Sequence, residues 1–271
     1  MRDVTPTSAP LTVVFLHAHP DDEASQTAGT MRMLADAGHR VVVVYATNGD
    51  HGFCPDDLAP GETLVDRRRS EAEASARVTG TQAVHWLGYA DSGMTGWEQN
   101  GAETSFHGAD TLEAARALAG VLDAEGADVL VTYDWHGGYG HPDHIKAHRV
   151  AHAAVELAAR RPRLLEASMN RDAVRRAFEE ARAAGMPGMD PDAPMDDGNP
   201  LGTPEAELHW HVDVRPVLDV KRRALECHAS QVSDVGMMLA LPEEAFGAWL
   251  GHEHYAEPGR APGMVSAPWW E

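Results

Sequence analysis

Two short stretches of this 271-residue chain bring together residue types that hold metals and move protons. One is His17-Ala18-His19-Pro20-Asp21-Asp22-Glu23, the other Tyr139-Gly140-His141-Pro142-Asp143-His144. Each has a proline where a helix can begin, a position at which a missing N–H costs little. If each stretch opens a helix, residues three apart share a face. His19 with Asp22, and His141 with His144, then aim polar groups at one point. Imidazole and carboxylate are both zinc ligands, and a catalytic zinc needs three protein ligands plus an open position for water. His19, Asp22 and His144 supply three. Such coordination lowers the pKa of bound water from ~15.7 toward ~7, and Asp21 is adjacent to take its proton. His141 is left to face the substrate, as an imidazolium that stabilises an oxyanion or protonates a departing amine. A lone His-x-x-Asp carries almost no information, and a single histidine at a strand end is more often structural. The weight rests on two clusters recurring at equivalent places.

Those places are set by the elements around them. Residues 11–18, 40–47, 83–89 and 127–134 are short apolar runs rich in β-branched residues and read as buried strands. Between and after them, helical spacing predicts helices over 22–37, 62–78, 110–125 and 142–160. This alternation predicts an α/β fold with a mostly parallel sheet covered on both faces. Right-handed crossovers put the parallel strand ends on one edge, and ligands bind just beyond that edge. The two clusters follow the first and fourth strands. Further on, 163–169 is a candidate strand, 170–185 a helix, 208–214 a strand and 216–229 a helix. We expect residues 1–160 to form the metal-binding core and 161–271 to complete the same domain with a small C-terminal lobe. The Pro- and Gly-rich stretch 186–207 reads as a loop insertion that shapes the substrate mouth.

The charge balance limits the partners. There are 42 acidic against 22 basic side chains, a formal net charge of −20. That excludes nucleic acid or an anionic membrane as the main partner, since those surfaces reward Lys/Arg stripes. No apolar run approaches the length of a membrane span, and the start of the chain lacks a signal-peptide core. The two cysteines, Cys54 and Cys227, read as free thiols in a reducing, cytoplasmic setting. The turn after the first strand has no Gly-x-Gly-x-x-Gly, and its carboxylates repel a pyrophosphate, which argues against a dinucleotide site. A non-catalytic scaffold is a poor reading, because every expected catalytic position is filled.

The AHPDDE and GHPDH motifs resemble those of the LmbE-like, or PIG-L, deacetylases. Arg68 and Glu71 in RRSE, LGYADSGM over 87–94, and Lys221 leading to His228-Ala229-Ser230-Gln231 extend the likeness over most of the chain. The resemblance implies a Rossmann-like three-layer fold and one Zn²⁺ per chain on His19, Asp22 and His144, with Fe²⁺, Co²⁺ or Mn²⁺ admitted at such sites. It implies Asp21 as general base, His141 as cationic acid oriented by Asp143, and Tyr139 polarising the substrate carbonyl. It makes Arg68 and Asp91 substrate contacts. The expected reaction is removal of an N-acetyl group from a GlcNAc-containing or related small-molecule amino sugar. Alternatives are a mycothiol-type conjugate amidase or a deacetylase of a secondary-metabolite intermediate. Gln26 stands where the conjugate amidase has lysine, which counts against thiol conjugates. Oligomeric state, including a homo-oligomer, is left open.

Other polar residues read more plainly. Trp135, within the loop DWHGGYGHPDH, is the tryptophan best placed to stack on a sugar. His148 and His152 follow His144 at intervals of four and read as supporting or surface residues. His209 and His211 read as structural or as pocket rim. Asp190, Asp192, Asp196 and Asp197 do not make an EF-hand, because the twelfth position from Asp190 is Leu201. Residues 247–259 are expected to close the pocket or to pack a partner subunit.

Overall fold

The computed structural model describes residues 9–183, 185 and 190–271. Most of the expected leading arm, and 186–189 of the expected insertion, lie outside the described residues. Five parallel strands form the heart of the sheet: β1 (Thr12–His17), β2 (Arg40–Thr47), β3 (Ala83–Tyr89), β4 (Val129–Tyr133) and β5 (Arg163–Ser168). The sheet then continues through β6 (Trp210–Asp213), β7 (His252–Ala256) and β8 (Val265–Ser266). Its order is β3-β2-β1-β4-β5-β7-β6-β8, with β7 antiparallel to both neighbours. The chain moves outward from β1 to β3 and then returns to place β4 on the other side of β1. The order reverses between β1 and β4, and that is where such sheets open a crevice for ligands.

Side chains alternate across β1, and this alternation builds two cores. Val14 and Leu16 face α4 (Thr111–Glu125) and α5 (Pro142–Leu157), packing with Leu118, Leu122 and Val150. Val13 and Phe15 face the opposite layer, with Met31, Leu34, Ala72, Tyr255, Trp269 and Trp270. That layer includes α2 (Ala28–Asp36), α3 (Leu64–Thr79) and α7 (Leu218–Cys227). A third apolar cluster joins α1 (Asp22–Gln26) and α7 to α8 (Asp234–Leu239) and α9 (Glu243–Leu250) through Ala24, Leu225, Val235 and Phe246. One further helix, α6 (Arg171–Ala183), precedes the loop insertion.

The single helix expected over 22–37 is broken at Thr27, whose φ is −133°. Its hydroxyl bonds His17 Nε2 at 2.9 Å. The restarted helix α2 then offers the N–H groups of Gly29 and Thr30 to the Glu253 carboxylate at 3.0 and 2.9 Å. An anion at a helix N-terminus satisfies donors that the helix itself cannot, so the break is capped. Residues 247–259 contain β7, an interior strand whose Tyr255 is fully buried. The core of the segment expected to close the pocket or pack a partner is thus part of the sheet. The strand escapes a periodicity reading because its second buried side chain is Glu253, which pairs with buried Lys221 at 2.6 Å.

Candidate active site

The loop after β1 and the start of α5 meet above the β1–β4 gap. His144 donates Nδ1–H to the Gly137 carbonyl at 3.1 Å. Its Nε2 is buried without a hydrogen-bond partner and lies 3.3 Å from Asp22 Oδ1. His19 Nε2 faces the Asp143 carboxylate at 3.2 Å, which leaves Nδ1 3.3 Å from Asp22 Oδ2. In both rings the outer nitrogen is held by an acceptor while the inner nitrogen faces Asp22. A histidine that ligates zinc is fixed in this way by a carboxylate or a carbonyl behind it. Two ligand atoms on a tetrahedral zinc with bonds of about 2.0–2.1 Å stand about 3.3 Å apart, and each histidine nitrogen lies 3.3 Å from one of the two Asp22 oxygens.

Asp22 is held by two neutral donors, the His19 N–H at 2.8 Å and the Tyr133 hydroxyl at 2.7 Å. Burial works to raise its pKa, but His144 and His19 outweigh burial and hold it well below the usual carboxylate range. Burial likewise disfavours a charge on His19, yet Asp91, Asp143 and Asp22 lift its pKa well above the usual histidine value. A proton therefore stands where a cation is wanted. Three histidines, His19, His141 and His144, bring one donor atom each within 4.8 Å of one another. His141 differs from the other two in that its Nδ1 accepts a backbone N–H.

That nitrogen accepts the Asp143 N–H at 3.1 Å as the N-cap of α5. Burial first, and then His19 and His144, push the His141 pKa down to about 2. The ring is neutral, with its proton on Nε2, and offers a hydrogen bond rather than the imidazolium expected from the sequence. The Asp143 carboxylate does not orient it. Both Asp143 oxygens are taken, by His19 and by the Ser92 N–H and hydroxyl at 2.9 and 2.5 Å. Tyr139 packs edge-on against His144, with ring centroids 5.1 Å apart. Burial and then Asp22 and Asp21 raise its pKa, so its hydroxyl keeps the proton.

Asp21 is the one described non-glycine residue with a positive φ, 119°. A strained backbone persists only where its surroundings over-determine it. Here its N–H donates to Glu23 Oε2 at 3.0 Å, and Arg68 Nη2 donates to its Oδ2 at 2.9 Å. Burial raises its pKa to about 6 against the pull of Arg68, which is suitable for a base working near neutrality. Arg68 is 2% exposed and also donates to the carbonyls of Gly49 and Pro20. Gly49 and Gly52 press on its guanidinium so closely that a Cβ at either would lie 2.4 or 2.3 Å from Nη1. Arg68 is thus committed to protein partners rather than open to a substrate. Asp91 is also buried, accepting from Gly93 N–H at 2.8 Å with Oδ1 3.5 Å from His19. Trp135, by contrast, is 51% exposed at the tip of its loop.

Sequence reasoning missed several supporting residues. Glu23 Oε1 accepts from the Ser75 hydroxyl at 2.6 Å and lies 2.7 Å from His228 Nε2. Ser230 donates twice to Glu71. Glu23 and His228 lie inside the quoted motifs, so a signal for them existed. Tyr133 had none, being the last residue of an apolar strand. From the insertion, Asp196 N–H bonds the Tyr139 carbonyl at 3.1 Å and Gly202 N–H the Gly138 carbonyl at 2.7 Å. The insertion therefore braces the His141 loop. Of its acidic residues, Asp192 pairs with Arg175, and Asp197 bonds Asn199 and lies 3.5 Å from His136. His209 accepts from Glu257 N–H, and His211 meets His252 at 2.9 Å.

Residues 14–155 match the family model described as PIG-L, GlcNAc-PI de-N-acetylase. A 1D-myo-inositol 2-acetamido-2-deoxy-alpha-D-glucopyranoside deacetylase from Thermobispora bispora is 36% identical, over 93% of this chain and 89% of that one. The protein of the same name from Streptomyces griseus is 35% identical, over 93% and 84%. Among solved structures, the N,N'-diacetylchitobiose deacetylase from Pyrococcus horikoshii aligns over 91% of this chain and 82% of its own. The TM-score is 0.57 at 22% identity, a likeness of fold.

Proposed function

This chain belongs to the PIG-L family of de-N-acetylases, and we propose that it is a zinc-dependent enzyme that hydrolyses the acetamide of a GlcNAc-containing glycoside. An N-acetylglucosaminyl inositol, the compound in the names of its bacterial relatives, is the first candidate substrate. We read one domain, with residues 1–160 as the metal-binding core and 161–271 completing it. The observation that carries the reading is the pair of inner histidine nitrogens converging on Asp22 beside a strained Asp21.

His19, Asp22 and His144 would hold the ion, which when bound supplies a Lewis acid and lowers the pKa of a water toward ~7. Two imidazoles and one carboxylate suit Zn²⁺ among the divalent metals. Asp21 accepts the proton of the attacking water. The Nε2–H of His141 and the hydroxyl of Tyr139 donate to the carbonyl oxygen as it gains charge. The proton held by Asp21 then passes to the nitrogen as the C–N bond breaks, leaving acetate and a free amine. Arg68 and Glu23 keep the Asp21 carboxylate in place, and Trp135 offers an exposed ring to a sugar.

The test is amine release by the zinc-loaded chain from N-acetylglucosaminyl inositol, N,N'-diacetylchitobiose and a thiol conjugate, beside a His144→Ala variant. We expect release from the first substrate by the wild type and none by the variant. Release from the thiol conjugate alone would move the assignment to a conjugate amidase. Equal release by both proteins would remove the metal mechanism.

A further inference from the structure

We propose a second metal site, formed by His148 and His152 on α5 and Glu166 on β5, for a divalent first-row transition ion. It lies beyond the deacetylase reading and uses none of that reading's residues. His148 and His152 are one helical turn apart and so share a face, with ring centroids separated by 4.3 Å. Glu166 reaches toward both from the neighbouring strand. Its Oε1 is 2.6 Å from His152 Nε2 and 3.5 Å from His148 Nδ1. One donor atom from each of the three residues lies within 4.8 Å of the others.

The charge pattern is a second, independent observation. Glu166 is largely buried, with 13% of its side chain exposed. Among the described residues its ion-pair partners are these two histidines alone. The arginines nearby are engaged elsewhere, Arg163 with Glu257 and Arg161 with Glu156. A carboxylate withdrawn from water needs a compensating charge. Two imidazoles do not supply a fixed one. A divalent ion would. Two imidazoles and a carboxylate form an N/O set suited to zinc, copper and nickel, and three protein ligands leave room for water. His152 is the most exposed of the three and also lines a surface cleft with Val155, Arg163 and Glu257, so an ion has a way in.

An ion bound here would take the place of the direct His152–Glu166 contact. His148 now bonds the Tyr133 carbonyl through Nδ1 at 3.1 Å. Its proton can reside on either ring nitrogen, so presenting Nδ1 to a metal costs that bond but no net charge. Tyr133 separates the two centres, its hydroxyl on Asp22 and its carbonyl on His148. His144 begins the same stripe of α5 but turns to Asp22, which makes the two sets distinct.

The experiment is Zn²⁺ binding to the chelator-stripped full chain, by equilibrium dialysis with elemental analysis. We expect two equivalents in the wild type, one in His144→Ala, one in His152→Ala and none in the double variant. Glu166→Gln in the His144→Ala background should weaken the remaining site at least tenfold. Metal-free His152→Ala should still unfold in a single cooperative transition, which ties any loss to ligation rather than folding. With its catalytic metal loaded, His152→Ala should still release amine, so the second site and the deacetylase reading fail separately. One equivalent in both wild type and His152→Ala, or an unchanged second equivalent in the Glu166→Gln background, would overturn the proposal.

Discussion

The two loops that build the site are held in different ways. The loop after β1 is short and acidic, and it is clamped by charged side chains from far along the sequence. Arg68 grips Asp21, while Ser75 and His228 grip Glu23, which in turn holds the Asp21 N–H. The loop after β4 is long and glycine-rich, and its grips are mainly backbone. The Gly137 carbonyl fixes His144, the Asp143 N–H fixes His141, and the insertion's amides fix the Tyr139 and Gly138 carbonyls. Carboxylates that must work buried need counter-charges, whereas histidines need only a tautomer, and one backbone group sets that. Damage to the clamps on Asp21 and Glu23 should therefore appear in proton transfer, and damage to the Gly137–His144 grip in metal affinity.

The largest expected effect tests the first half of that contrast. Asp21→Asn keeps the shape of the side chain and removes the base, so kcat should fall by about 10²–10⁴ while the zinc content stays at the wild-type level. Loss of zinc in that variant would show that the two loops do not divide the labour as proposed. Glu23→Gln comes next. It should lower kcat by roughly 10–100-fold, in the range of a supporting partner, with KM and metal content little changed. The same variant should flatten the pH dependence of stability. Burial disfavours both charges, but His228 and Ser75 hold the Glu23 pKa at about 2, and Glu23 raises that of His228. The Glu23 contribution is present above its unfolded value of about 4.3 and is lost as pH falls toward 2. That of His228 is complete below about 6.5 and is lost as pH rises through its raised pKa. Wild-type stability should thus peak between those limits, as chemical denaturation across pH would show.

The same division explains what could be read from the sequence. β2 begins and ends where its apolar run does, because a strand buried on both faces records its burial in every residue, whereas β3 keeps its apolar run although, at the sheet edge, it is only partly buried. His19, Asp22 and His144 were visible through spacing, since each sits within a turn of a helix start. The clamps were not visible as clamps. Arg68 lies 47 residues from Asp21 and His228 lies 205 from Glu23, and only the folded chain makes their charges mutual. Arg68 consequently read as a substrate contact. β7 was hidden for the same reason, because Glu253 is tolerable inside a sheet only with Lys221 beside it. The low pKa of His141 depends first on burial and then on the charges of two other rings, which no linear pattern encodes.

The second loop yields the next test. Gly137 has φ +69°, and a Cβ there would lie 2.3 Å from that of His144. Gly137→Ala therefore forces apart the carbonyl and the ring it orients. Zinc affinity should drop roughly 10–100-fold, with activity restored by excess metal. Added zinc should not restore Glu23→Gln, and that pairing separates the two loops most sharply.

The smallest effect belongs to the loop's exposed tip. Trp135 has half its surface in solvent and bonds none of the reacting groups, so it can act only through contact with the bound sugar. Stacking on a face of that kind is present before and during the reaction alike, and uniform binding alters KM rather than kcat. Trp135→Ala should raise KM by about tenfold, the equivalent of roughly 1.4 kcal/mol, and leave kcat, zinc content and unfolding temperature unchanged. A fall in kcat instead would mean that the tip orders His141 and Tyr139 behind it, extending the positioning role of this loop from its backbone to its exposed ring.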